Sequence, residues 1–172
     1  MPMSRIHLVA EALTRSIIGA FYEVFNILGF GFLEHVYKAA LEKELIRRGH
    51  RVEREARVVV YYKGDAIAVQ VVDMIVDSRV VVEVKSSLEL RAGARQQLHN
   101  YLRATDLEVG LLLHFGLEPK FHRIVELETQ KTKTARSTDS TDCTDGTDTT
   151  AKKPPRALLT SGDLAEKSAP DH

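Results

Sequence analysis

Three Val-rich runs, at residues 56–62, 66–76 and 79–86, constrain the fold more than any other part of this sequence. The short turns KGD and DSR join them, and Gly64 in the first turn allows the positive φ that tight hairpins use. Because so short a connection can link only antiparallel neighbours, the last two runs form a hairpin. The region therefore predicts consecutive strands of one sheet.

Helical periodicity flanks these strands. Apolar residues recur at threes and fours over residues 5–28, and a second helix is predicted at about 32–48, between Gly29 and Gly49. A third helix is predicted at about 92–104, followed by the strands VGLLLHFG and KFHRIVEL with the turn LEP between them. The order α-α-β-β-β-α-β-β predicts a mixed α/β domain built around a sheet.

The composition changes after residue 128, where Thr, Ser, Asp and Lys dominate. Such a segment cannot bury enough apolar area to offset the entropy lost on ordering. We therefore expect a folded domain over residues 5–128 and a disordered tail over 129–172. Within that tail, RALLTSGDLAEK is the stretch that a transient helix or a docking segment would use.

Bulk composition excludes several classes of protein. Lys and Arg total 24, as do Asp and Glu, so the chain lacks a strongly basic nucleic-acid-binding footprint, and any such site must be local. Cys143, the only cysteine, cannot form an internal disulfide or a thiolate metal site. No segment is apolar over the length that a membrane span needs, and the N-terminal stretch lacks the form of a signal peptide. We therefore expect a soluble, cytoplasmic protein.

Two carboxylates and a lysine interrupt the apolar strands. Glu83 and Lys85 share one face of their strand because strand side chains alternate. Asp73 and Glu83 are equidistant from Ser78 in the turn, so we expect them nearly opposite each other on neighbouring strands, where like charges repel. Either Lys85 neutralises the pair in an ion-pair cluster, or a divalent metal such as Mg²⁺ or Mn²⁺ does, since both ions prefer oxygen ligands. The strands alone favour neither alternative.

A third carboxylate lies on the apolar side of the second helix. On a helical wheel Glu34 falls between Leu41 and Leu45, and Glu44 lies nearer still to the centre of the apolar stripe. A carboxylate that faces a core is costly unless a cation or a hydrogen-bond donor meets it. Arg48, one turn later, is the expected partner of Glu44, whereas Glu34 requires a partner from outside this stripe.

The third helix adds a polar face. Gln97 and Tyr101 are four residues apart and so share one side of the helix, facing the sheet or a substrate backbone. On this spacing alone, the favoured interpretation of Tyr101 is a core aromatic residue with its hydroxyl at the rim. The histidines at 99, 114 and 122 lack ligand spacing, and neither a Gly-rich phosphate loop nor a nucleophile elbow is present.

The stretch Gly31-x-x-Glu34-x-x-Tyr37 resembles the motif of the GxxExxY protein family, a branch of the PD-(D/E)XK nuclease-like superfamily. The resemblance runs from about residue 7 to 126 and includes, in order, ALEKEL, VVDMIV, VVVEVKS, QLHNYLRAT and VGLLLHFG. Val72 and His114 depart from the family pattern, but neither is a proposed ligand.

The resemblance implies a restriction-endonuclease-like αβββαβ core, a mixed central sheet flanked by helices, with an extra N-terminal helix. It implies a nuclease that hydrolyses phosphodiester bonds of nucleic acid, DNA or RNA, with Mg²⁺ or Mn²⁺; the alternative is a non-catalytic nuclease-fold binding or scaffold module. The implied metal ligands are Asp73, Glu83 and Glu34. The implied catalytic set is Glu34, Asp73, Glu83, Lys85, Gln97 and Tyr101.

Overall fold

The computed structural model describes residues 3–126 and 158–159, with backbone alone at 3–9 and 158–159. The helices are α1 (Met3–Leu28), α2 (Glu34–Arg47) and α3 (Gly93–Ala104), and the strands are β1 (Val52–Tyr62), β2 (Asp65–Val76), β3 (Val80–Lys85), β4 (Val109–Phe115), β5 (Pro119–Val125) and β6 (Leu158–Leu159). The element order predicted from the sequence is confirmed over residues 3–126. Among the described helices, none combines the length and apolarity that crossing a bilayer requires.

All described strands form one sheet, in the order β5-β4-β3-β2-β1-β6. Neighbours are antiparallel except β3 and β4, which run parallel from Val80 opposite Val109 to Lys85 opposite His114. Parallel neighbours need a crossover connection, and α3 supplies it. This mixed sheet with flanking helices confirms the predicted α/β fold.

Strand β6 lies in the segment predicted to be a disordered tail. Its backbone pairs antiparallel with β1, with Leu158 opposite Val58 and Leu159 opposite Arg57. The remainder of 129–172 lies outside the described residues, and the prediction of disorder there stays a prediction.

Two apolar cores cover the two faces of the sheet. Helices α1 and α2 pack on one face, where Phe21 and Leu41 meet Val82 and Val84 of β3. Helix α3 packs on the other, where Leu98 meets Val81 and Leu112. Since alternate residues of β3 serve opposite faces, Glu83 and Lys85 project on the α3 side, as the sequence predicts.

The alternation of β2 breaks at Asp73. Val72 packs in the α3 core although Met74, two residues later, packs in the opposite core. The last backbone pair of β2 with β3 is Met74 with Val82. Beyond it, the Val84 N–H donates to Asp73 Oδ2 at 2.8 Å. A side-chain bond therefore positions Asp73, in place of the ladder pairing with Glu83 that the sequence predicts.

A hydrogen-bonded chain ties α1 to the β2–β3 turn. Ser16 Oγ lies 2.7 Å from His50 Nε2, and His50 Nδ1 lies 2.8 Å from Asp77 Oδ2. The other Asp77 oxygen accepts the Arg51 N–H at 2.8 Å. The atoms follow the order of a hydrolase triad, yet Ser16 lies within a helix and none of the three residues lines a cavity described below. We interpret this hydrogen-bond network as a structural link between α1 and the β2–β3 turn.

Candidate active site

The loop before α2 is held by Tyr37. Its buried ring stacks on Phe115 with centroids 4.2 Å apart. Its hydroxyl donates to the Gly29 carbonyl at 2.7 Å and accepts the Phe32 N–H at 3.3 Å. Gly31 adopts a φ of +119°, which a side chain would oppose. The loop therefore places Glu34 as the first residue of α2, which begins two residues later than the sequence predicts.

Glu34 meets a lysine for which the sequence pattern gives no prediction. Lys38 Nζ lies 2.8 Å from Glu34 Oε1 and 2.5 Å from Asp73 Oδ1. Burial lowers the pKa of Lys38, but its bonds to Asp73 and Glu34 outweigh that effect and raise the net pKa. Lys38 is therefore a charged bridge between α2 and β2. The one sequence signal for it is its position four residues after Glu34.

Glu83 forms the second ion pair of the site. Lys85 Nζ lies 2.6 Å from Glu83 Oε1, and Glu83 is 2% exposed. Its Oε2 atom has no hydrogen-bond partner among the described residues. Burial, and then the nearby charge of Asp73, raise the pKa of Glu83 although Lys85 opposes the change. For Lys85, burial lowers the pKa, but Glu83, Glu34 and Asp73 together raise it overall. Lys85 is therefore an ammonium ion at neutral pH.

The charge of this cluster does not balance. Three carboxylates, from Glu34, Asp73 and Glu83, face two ammonium groups, from Lys38 and Lys85. An oxygen-only donor set with excess negative charge and an unpartnered buried oxygen fits a hard divalent cation. Within the described residues, however, no three such side chains already stand in a metal-holding arrangement. Lys38 stands between two of the donors, so a metal bound there would have to replace it.

Gln97 and Tyr101 lie beside the cluster on α3. Gln97 Nε2 donates to the Tyr101 hydroxyl at 2.6 Å, which in turn donates to the Val71 carbonyl at 3.1 Å. Tyr101 is only 5% exposed, so it is a core aromatic residue whose hydroxyl reaches the sheet backbone. Burial and then the charge of Glu83 raise its pKa, so the hydroxyl stays protonated.

Cavities at the N-terminal end of α3 give access to this cluster. The cleft is a cavity of about 500 Å³ lined by Glu34, Lys85, Ser86, Ser87, Leu90, Arg91, Gly93, Ala94 and Gln97. A neighbouring cavity of about 380 Å³ is rich in amides and is lined by Gln70, Val71, Gly93, Gln96, Gln97, Asn100 and Tyr101. Gln97 borders both, so it stands between them.

Three other residues discussed from the sequence, Glu44, His99 and His114, lie outside the carboxylate cluster. Glu44 pairs with Arg48 at 2.8 Å, which confirms that expectation. His99 bonds to Glu126 at 3.0 Å, and His114 Nε2 bonds to the Ser87 carbonyl at 2.9 Å. Within the described part of the chain, these two histidines bond to other partners and not to the carboxylates of Glu34, Asp73 and Glu83.

Comparison with known proteins identifies the family of this chain. A family model described as the PD-(D/E)XK nuclease superfamily matches residues 11–124. The crystal structure of SSO0001 superposes with a TM-score of 0.41 at 19% sequence identity, covering 76% of this chain and 67% of that chain, and a likeness so distant adds nothing to the assignment. No curated protein matches the chain. The family model spans most of the described domain, and the chain therefore belongs to the PD-(D/E)XK nuclease superfamily.

Proposed function

We propose that this chain is a metal-dependent nuclease of the GxxExxY type, which hydrolyses phosphodiester bonds of nucleic acid. The domain responsible would span residues 5–128. One observation carries the proposal: carboxylates from α2, β2 and β3 converge with the Lys85 ammonium beside an open cleft. A sheet that only needed stability would place apolar residues at these positions.

The proposed metal ligands are Asp73 and Glu83, with Glu34 approaching from α2, and the proposed ion is Mg²⁺ or Mn²⁺. Such an ion polarises a phosphate oxygen and lowers the pKa of water. The unpartnered Oε2 atom of Glu83 supports this assignment, because a buried carboxylate oxygen without a donor is costly. Asp73 is fixed for the role by the Val84 amide.

Lys85 and Gln97 would act on the substrate. The Glu83 carboxylate holds the Lys85 ammonium at the wall of the cleft, where it offsets the negative charge that develops on a reacting phosphate. Its raised pKa favours a role as a cation or a proton donor over that of a base. Gln97, held by Tyr101, presents an amide to the substrate backbone.

Lys38 favours a second candidate, a non-catalytic nuclease-fold binding module. Because Lys38 contacts both Asp73 and Glu34, it neutralises part of the cluster without any metal. In that case the polar cluster is an ion-pair network and the cleft only holds a ligand. The two candidates differ in whether bound nucleic acid is cut.

Cleavage of labelled single-stranded DNA, duplex DNA and RNA with Mn²⁺ tests the proposal. Wild-type protein should cut at least one substrate, and Lys85→Ala should lose activity by about two orders of magnitude or more, the scale of losing one electrostatic stabiliser. Lys43→Ala, at an exposed position of α2, is the matched control and should cut normally. Folded wild-type protein that cuts none of the substrates would favour the binding module.

A further inference from the structure

A basic pocket opens beside the cleft. It has a volume of about 420 Å³ and is lined by Leu90, Arg91, Ala92, Arg95, Lys120 and His122. Three of these six residues carry a permanent positive charge, and none of the described lining residues is a carboxylate. In a chain with equal numbers of acidic and basic residues, such segregation of charge is local and not a result of composition.

The charges of the basic pocket lack strong partners among the described residues. The Arg91 side chain makes no ion pair or hydrogen bond there, and the hydrogen bonds of Arg95 go to the ring nitrogens of His122, at 3.1 Å. Lys120 lies 3.5 Å from Glu118, but both side chains are largely exposed, and such a pair contributes little. Burial, then Arg95 and His114, lower the pKa of His122, so its imidazole is neutral at pH 7. Three positive charges therefore line the basic pocket, and among the described residues only Lys120 has a carboxylate partner, an exposed one.

The sheet register places the basic pocket next to the carboxylate cluster. Lys120 is opposite His114, which is itself opposite Lys85. His122 is opposite Leu112, which is opposite Glu83. Residues in register share a face of the sheet, and two strand spacings amount to about 10 Å. Arg91 lines both the cleft and the basic pocket, so the two cavities adjoin.

We propose that the basic pocket binds a backbone phosphate of the nucleic-acid strand, adjacent to the phosphate held in the cleft. This inference rests on the proposed function and specifies where the substrate runs. Guanidinium groups donate paired hydrogen bonds that match the oxygens of a phosphate, and Arg91 and Arg95 have these donors free of carboxylates. The strand would then cross the start of α3, from the basic pocket into the cleft.

The test measures binding without cleavage. Fluorescence anisotropy in EDTA follows the binding of fluorescein-labelled single-stranded DNA, duplex DNA and RNA across a salt titration. Wild-type protein is compared with the double variant Arg91→Gln/Arg95→Gln. The control Arg15→Gln/Arg47→Gln removes the same charge from exposed positions on α1 and α2. We expect the pocket variant to bind about tenfold more weakly, with its salt slope reduced by about 0.7–0.9 for each phosphate that the protein no longer neutralises. The control should keep the wild-type slope.

The outcomes separate this inference from the proposed function. Equal salt slopes in the pocket and control variants would overturn the inference, even if wild-type protein cuts DNA. A slope that depends on the pocket, in a protein that cuts nothing, would support the inference and contradict the nuclease. Failure of all three probes to bind wild-type protein would overturn the pocket as a phosphate site.

Discussion

Replacing Lys38 with Gln removes the cation that joins α2 to β2. Lys38 Nζ lies 2.5 Å from Asp73 and 2.8 Å from Glu34, and the Lys38 and Asp73 side chains are 20% and 15% exposed. Breaking a fully buried pair from one side costs about 3–5 kcal/mol. Because Glu34 is 35% exposed and solvent screens the pair, we expect about 2 kcal/mol here. For a domain of this size the loss lowers Tm by roughly 6–10 °C.

Divalent metal should reverse part of that loss. In wild-type protein a metal ion must displace the Lys38 ammonium from Asp73, whereas in Lys38→Gln no cation has to leave. Binding to the folded state alone raises stability by about 2.7 kcal/mol at a hundred times Kd. If the variant binds metal tenfold more tightly, its gain at saturating Mn²⁺ exceeds that of wild type by about 1.4 kcal/mol.

Thermal denaturation of both proteins, with EDTA and with Mn²⁺, measures these changes, and Lys43→Gln on the exposed side of α2 controls for loss of a lysine. Electron paramagnetic resonance of free Mn²⁺ gives the affinities directly. Equal Mn²⁺ shifts in wild type and Lys38→Gln would refute competition between lysine and metal. An unchanged Tm in EDTA would refute the charged bridge itself.

Three other substitutions probe single contacts. Glu83→Gln should be more stable than wild type at pH 7 without metal, because the raised pKa of Glu83 means that folding favours its neutral form. A carboxyl group with a raised folded pKa stabilises the fold below its unfolded pKa, and this contribution is lost as pH rises through the folded pKa. The difference between the two proteins in urea unfolding should therefore vanish by about pH 4. Tyr37→Phe should lower the free energy of unfolding by about 1–3 kcal/mol, since it leaves the Gly29 carbonyl and the Phe32 N–H without their partner. It should also reduce the rise in Tm caused by Mn²⁺. An unchanged rise would show that this loop does not position the metal ligands. His50→Ala should lower the free energy of urea unfolding by a similar amount yet leave cleavage unchanged. Loss of cleavage in a folded variant would contradict a purely structural role for the Ser16–His50–Asp77 network.

The strands and helices could be predicted because their periodicities are strong. Val82 and Val84 alternate with Glu83 and Lys85, and that alternation alone places both charged residues on one face. Periodicity could not predict the parallel pairing of β3 with β4, because that pairing depends on how the α3 connection crosses the sheet.

The candidate site was predictable only in part, and Lys38 shows why. A lysine four residues after a glutamate resembles any exposed helical pair, and only the tertiary fold brings Asp73 to its ammonium group. Asp73 was expected to lie in a regular ladder, whereas the break in β2 turns its carboxylate to the Val84 amide. The basic pocket joins Arg91 and Arg95 to Lys120 through the β5 register, which local sequence does not specify.

The parallel pairing of β3 with β4 also bears on the order of folding. Strand β3 reaches β2 through a short turn, but it reaches β4 only after the chain from Lys85 to Val109 has closed around α3. Contacts between distant residues form slowly because loop closure must precede them. Asp73 and Glu83 should therefore approach each other early, while Gln97, Arg91 and Arg95 arrive with α3 in a later step. The carboxylates of Asp73 and Glu83 would therefore lie close together before the cleft beside them has formed.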